Sequence, residues 1–154
     1  MGFELIDYKN KGFQTSDIFM QLAIYYINEE FKKEQYIFTN KHSLEEYHKS
    51  VINGQMAGWF AFLWDLYIAN ASEEETMIQI LQAVKTIIHH KENYISVNEL
   101  QAIPTADGDF KIFYRKPFQT AELIRILDAL IQMLQGTWND TNYDMDINYR
   151  YSID

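Results

Sequence analysis

The chain reads as a mainly α single domain, a helical bundle of four to five helices with a small β-hairpin or short antiparallel sheet near residues 94–116. Three observations lead there. Apolar residues recur at helical spacing behind capping residues in several segments. The period shifts toward two in one internal stretch and in the C-terminal segment. The 154 residues, 47% apolar and 16% aromatic, are enough for one core of ordinary size. Two prolines, six glycines and no Ser/Gly-rich or Pro-rich stretch leave no linker, so residues 1–154 are expected to form one unit.

The first helix is expected over about 17–35, where Ser16-Asp17 offers an N-cap ahead of Phe19, Leu22, Ala23, Tyr26, Ile27 and Phe31. A second starts at Ser43, whose spacing to Glu46 is that of a capping box, and is interrupted at the turn-forming dipeptide Asn53-Gly54. From Met56 to Ile68 only Gly58 and Asp65 are neither apolar nor aromatic, which predicts a helix buried on most sides. A bilayer span needs about 20 apolar residues, so this run is too short to be one.

Ser72 and Glu75 repeat the capping-box spacing, and Met77, Ile80, Leu81, Val84, Ile87 and Ile88 form a helical stripe that ends at His89-His90. Tyr94 to Val97 and Phe110 to Tyr114 are rich in β-formers, and Asp107-Gly108 supplies a turn, so a hairpin is expected there. Its first arm has a competing reading, since Asn98 to Gln101 also suits a helical turn and Pro104 limits pairing. Thr120 then caps a helix carrying Leu123, Ile126, Leu127, Leu130 and Leu134, which Gly136 ends. Residues 137–154 form an acidic, Tyr-rich segment. There Tyr143, Met145, Ile147, Tyr149, Tyr151 and Ile153 alternate with polar residues, the pattern of an edge strand that could pair with 109–115.

Charge narrows the function classes. Thirteen Lys+Arg against 22 Asp+Glu give a net charge of −9, which disfavours direct binding to nucleic acid or to an anionic membrane and suits a basic partner. The acids concentrate at Glu73-Glu74-Glu75, at Asp107 and Asp109, and in the C-terminal segment. The competing reading of Glu73 to Glu75 is that they satisfy a helix N-terminus. With no cysteine there are no disulfides and no thiol chemistry. No basic start followed by a long apolar run opens the chain, so a cytoplasmic location is expected.

Motif searching finds no phosphate loop, dinucleotide fingerprint, HExxH or GxSxG. His89 and His90 point about 100° apart on a helix, so they suit a helix C-terminus better than a shared metal. His42 and His48 are expected at the surface. Asp140, Asp144 and Asp146 lack the alternation, central glycine and closing glutamate of a calcium loop. No catalytic residue, metal or cofactor is therefore assigned. Asp65, set among Leu63, Trp64, Leu66 and Tyr67, has three readings: an exposed or structurally paired carboxylate, a polar point in a pocket, or a catalytic acid or base.

The stretch Asn53-Gly54-Gln55-Met56-Ala57-Gly58-Trp59-Phe60 resembles the core of a family of small acidic helical proteins that includes a DNA-mimic protein. That family's pattern is Asn-Gly-Gly-Phe, a variable residue, Gln and two aromatics. Asn53, Gly54, Trp59 and Phe60 match it, whereas Gln55, Met56 and Gly58 depart from it and the spacing to the next helix is longer. The resemblance extends over residues 53–81 at most. It implies a protein that occupies a basic, nucleic-acid-binding surface on another protein.

The leading expectation is a non-catalytic acidic protein-binding module of immunity, antitoxin or DNA-mimic type. It would cover a basic toxin, nuclease or DNA-binding protein through Glu73, Glu74, Glu75, Asp140, Asp144 and Asp146, with Trp138 as aromatic anchor. The alternative is a small-molecule-binding or enzymatic domain with a pocket of Trp59, Trp64 and Tyr67 around Asp65. A third reading is a structural subunit whose 56–68 segment is buried only in a homo-oligomer.

Overall fold

Ser16 closes a strand and opens a helix, and that junction organises the molecule. In a computed structural model describing residues 3–138 and 146–147, β1 (Phe3–Tyr8) and β2 (Lys11–Ser16) form an antiparallel hairpin. Its turn residues Lys9 and Asn10 both have positive φ, the geometry of a two-residue turn matched to strand twist. Helix α1 (Asp17–Phe31) follows at once, with the Ser16 hydroxyl accepting from Ile18 N at 3.3 Å, as its expected start requires.

Helices α1, α2 (Lys41–Ile52), α4 (Ala71–His89) and α7 (Thr120–Gln135) pack together, with α1 touching each of the other three and α4 lying against α7. Their apolar faces join one cluster that also takes in Ile6, Tyr8 and Phe13 of the hairpin. The architecture is mainly helical, as the sequence predicts, with a short antiparallel pair between β3 (Tyr94–Ile95) and β4 (Phe118–Gln119). Among the described residues no helix is long and apolar enough to cross a membrane.

Several local expectations are corrected. Helix α2 begins before Ser43, after Asn40, and α4 is capped by Asn70, whose side chain accepts from Glu73 N at 2.9 Å; neither capping box forms. Ile87 leaves the buried stripe of α4. The 56–68 run is not a buried helix. Only α3 (Trp64–Tyr67) is helical there, and Phe60, Phe62 and Trp64 are buried alternately along an extended approach to it. Gly54 and Gly58, both at positive φ, hold this segment out of a helix.

The expected second hairpin arm is also helical. After the short α5 (Val97–Ala102), α6 (Gly108–Phe113) is capped by the Asp107 carboxylate accepting from Asp109 N at 3.0 Å, so Asp107-Gly108 starts a helix instead of turning a hairpin. Phe110 and Tyr114, one helical turn apart, are both buried while Ile112 between them is 54% exposed, a pattern that helix satisfies and a strand's two-residue period does not. The strand expected from the C-terminal segment is present at β5 (Asp146–Ile147), but it pairs in parallel with Gln14 and Thr15 of β2 and not with 109–115.

His48, expected at the surface, is fully buried. Trp64 Nε1 donates to His48 Nε2 at 3.2 Å, and because an indole N–H only donates, the ring proton sits on Nδ1, 3.0 Å from Asn28 Oδ1. This Asn28–His48–Trp64 chain joins α1, α2 and α3 through the core.

Candidate functional site

Asp17 stands at the first position of α1 and Gln21 one turn later, on the same helix face. Gln21 Nε2 donates to Ile52 O at 2.8 Å and to Asp107 Oδ2 at 3.1 Å, tying α1 to the end of α2 and to the start of α6. Two further bonds fix the same junction: Thr105 Oγ1 donates to Ile52 O at 2.6 Å, and Ala106 N donates to Asn53 Oδ1 at 2.9 Å. Gly54, at φ +77°, passes so close to Asp107 that a Cβ there would lie 2.5 Å from Oδ2. Only glycine fits.

The three segments enclose a cleft of about 270 Å³. Its apolar surface comes from Ile18, Val51, Met56, Ala57, Phe60 and Phe113, and its carboxylates are Asp17, Asp107 and Asp109. Asp17 is deepest, 8% exposed, and its Oδ2 accepts from Gly58 N at 3.0 Å. Asp109 is exposed at the opening. Among the described residues no Lys, Arg or His forms an ion pair with any of these three. Ile112, a lining residue, is 54% exposed, and Trp59, between the lining residues Gly58 and Phe60, is 65% exposed. A second groove, between α1, α4 and α5, differs in charge, because its Lys33 and Lys91 already pair with Glu30 and Glu99.

None of the described residues expected to form a partner surface lines this cleft, and Glu73, Glu74 and Trp138 are engaged elsewhere. Glu73 is buried, accepting from Ala69 N at 3.0 Å, Thr39 N at 2.9 Å and Thr39 Oγ1 at 2.7 Å. Burial alone would raise its pKa, but those donors outweigh it and hold the carboxyl below its ordinary range. Glu74 is taken up by Lys9 Nζ at 2.8 Å and Tyr8 OH at 2.7 Å. Of the triad only Glu75 is exposed. Trp138 is buried, not an interface anchor, because its ring packs on Phe13 and its Nε1 donates to Gly12 O at 2.6 Å. Asp146 contributes backbone to β5, and Asp140 and Asp144 lie outside the described residues.

Glu73 thus serves structure. Glu73→Ala leaves the two backbone N–H groups without their acceptor and is expected to cost about 1–3 kcal/mol, read from urea denaturation at neutral pH. A loss under about 0.5 kcal/mol would mean that water replaces the carboxylate, as at an ordinary surface site.

The aromatic pocket around Asp65 does not assemble. Trp64 is buried against His48, Tyr67 is half-buried against Tyr47, and Trp59 stands out toward solvent. Asp65 is exposed and accepts from Lys9 N at 2.9 Å, holding the β1–β2 turn, which is the structural reading of that carboxylate. Among the described residues no cluster of three or more His, Asp or Glu is arranged to hold a metal ion.

Sequence reasoning missed the cleft because its residues come from positions 17–21, 51–60 and 107–113, which no spacing rule connects. The signals that did point to it were Asn53-Gly54 and the pair Asp107 and Asp109. Comparison of the chain with family models, curated proteins and solved structures finds no match.

Proposed function

We propose that the chain is a non-catalytic binding protein that covers a basic surface of a protein partner, in the manner of an immunity protein, antitoxin or DNA mimic, and that it binds through the cleft at the start of α1. The observation that carries this reading is an apolar cleft whose three carboxylates have no cationic partner among the described residues. Such carboxylates attract cations at long range, exposed Ile112 lines the same cleft, and exposed Trp59 lies in the chain between the lining residues Gly58 and Phe60, so both offer apolar contact area of the kind that anchors interfaces. The net charge of −9 acts in the same direction. The resemblance of residues 53–60 implies the same class of partner, and five of those residues, Gly54, Met56, Ala57, Gly58 and Phe60, line the cleft.

The test is affinity capture from a lysate of the source organism at low salt and at about 0.5 M salt, using the native chain, Asp109→Lys and Glu75→Lys. A basic protein held by the native chain and by Glu75→Lys, released by salt and associating about tenfold more slowly with Asp109→Lys, is the expected result. A partner held equally by Asp109→Lys, or one whose retention ignores salt, overturns the assignment of the cleft.

A further inference from the structure

The chemistry of the cleft also specifies what fills it. We infer that it takes a single arginine side chain, presented by the basic partner proposed above; the inference rests on that reading for its source but not for its chemistry. The first argument is size. At about 270 Å³ the cleft falls just under the range of sites that hold drug-sized ligands or cofactors, roughly 300–1,000 Å³, so one long side chain is a better match than a cofactor.

Polarity gives the second argument. Ile18, Val51, Met56 and Phe60 offer apolar surface to an aliphatic stem, while Asp17, Asp107 and Asp109 offer negative charge to its head, the division of labour of a long cationic side chain. Aligned donors hold two of those carboxylates in place before anything binds. Asp17 is held by Gly58 N, and Asp107 by Gln21 Nε2 and Asp109 N. Preorganised acceptors of this kind cost little to reorganise on binding.

The choice between arginine and lysine follows from how those acceptors are distributed. Each held carboxylate has part of its accepting capacity occupied, and the remaining lone pairs belong to three residues, Asp17, Asp107 and Asp109, that are not grouped to hold one compact cation. A guanidinium, planar with five N–H donors, can reach several separated acceptors at once, whereas an ammonium is a compact and strongly hydrated charge. Weaker hydration also lowers the cost of placing a guanidinium beside the rings of Phe60 and Phe113.

Three probes test this on the full chain: N-acetyl-arginine amide, N-acetyl-lysine amide and N-acetyl-citrulline amide, each titrated while backbone amide shifts are followed by NMR. Arginine is expected to bind with a millimolar dissociation constant, with saturable shifts at Gly54, Gly58 and Asp109. Lysine should bind several-fold more weakly, and citrulline, a neutral analogue of the same shape, should not saturate. Asp109→Asn should weaken arginine binding about tenfold and Glu75→Gln should leave it unchanged. Asp109 is exposed, so its substitution tests the site without disturbing the core. Absence of saturable shifts at those three amides, or citrulline binding as tightly as arginine, overturns the inference whatever the capture experiment returns. Lysine binding as tightly as arginine overturns the choice of guanidinium. Saturable arginine binding together with an empty capture column overturns the protein-covering function and leaves the arginine site standing.

Discussion

Trp138→Ala lowers the unfolding free energy by about 3–5 kcal/mol, the cost of removing a large aromatic from a packed interior. The residue lies just past Gly136, which ends α7 at φ +76°, and its backbone N–H returns to Gln132 O at 3.2 Å. That turn carries the ring across to β2, where it meets Phe13 edge-on at 5.9 Å and donates to Gly12 O at 2.6 Å. One side chain therefore fastens the end of the last long helix to the N-terminal hairpin. Trp138→Phe keeps part of the packing but leaves Gly12 O without its donor, and should cost about 1–3 kcal/mol. Urea denaturation of both variants decides the matter. A loss under about 1 kcal/mol for Trp138→Ala would mean that the ring is not part of the core.

Acid is expected to weaken the fold well above the usual carboxylate range, because of His48. Complete burial pushes its pKa down from 6.5 to about 3. The unfolded chain therefore takes up this proton first. The contribution of His48 is intact above about pH 6.5 and is lost as pH falls from there toward 3, at about 1.4 kcal/mol per pH unit. Glu30, Glu73 and Glu74 have folded pKa values lowered from 4.5, so their contributions fade only below that pH and the interval from 6.5 to 4.5 belongs to His48. Asp7 works in the opposite sense, since burial and then the charge of Asp65 raise its pKa.

His48→Gln supplies one acceptor for Trp64 and one donor for Asn28 but does not titrate, so it should flatten the stability profile between pH 6.5 and 4.5. Denaturation midpoints at four or five pH values measure this. An unchanged slope in His48→Gln would place the titrating group elsewhere.

The same two residues show where reading the sequence stops. Trp138 beside an acidic segment looks like an interface anchor, and His48 among polar neighbours on α2 looks like a surface residue. Each is buried because a distant segment covers it: β2 in the first case, and α1 with α3 in the second. Asp65 illustrates the reverse, a carboxylate in an apolar run that stays exposed because only the single turn α3 is helical there and it turns this position outward. Glu73 and Glu74, open in the sequence to a partner-facing or a helix N-terminal role, meet Thr39, Ala69, Lys9 and Tyr8.

What the sequence determined by itself is the helical frame. The stripes of α1, α4 and α7 are legible because a 3.6-residue period of Leu, Ile, Phe and Met needs only one apolar surface opposite it, whichever that surface is. Ser16 and Gly136 mark ends of those helices through bonds and dihedrals confined to a few neighbouring residues. Tertiary structure decided the rest. Residues 60–64 are apolar on every side, and 107–114 carry both a turn dipeptide and β-formers, so their local preferences are nearly balanced and packing settles them. The cleft belongs to this second class. Asp17, Gly54 and Asp107 become one site only when α1, the end of α2 and the start of α6 converge, because an electrostatic site is defined by distances in space and the chain records only distances along itself.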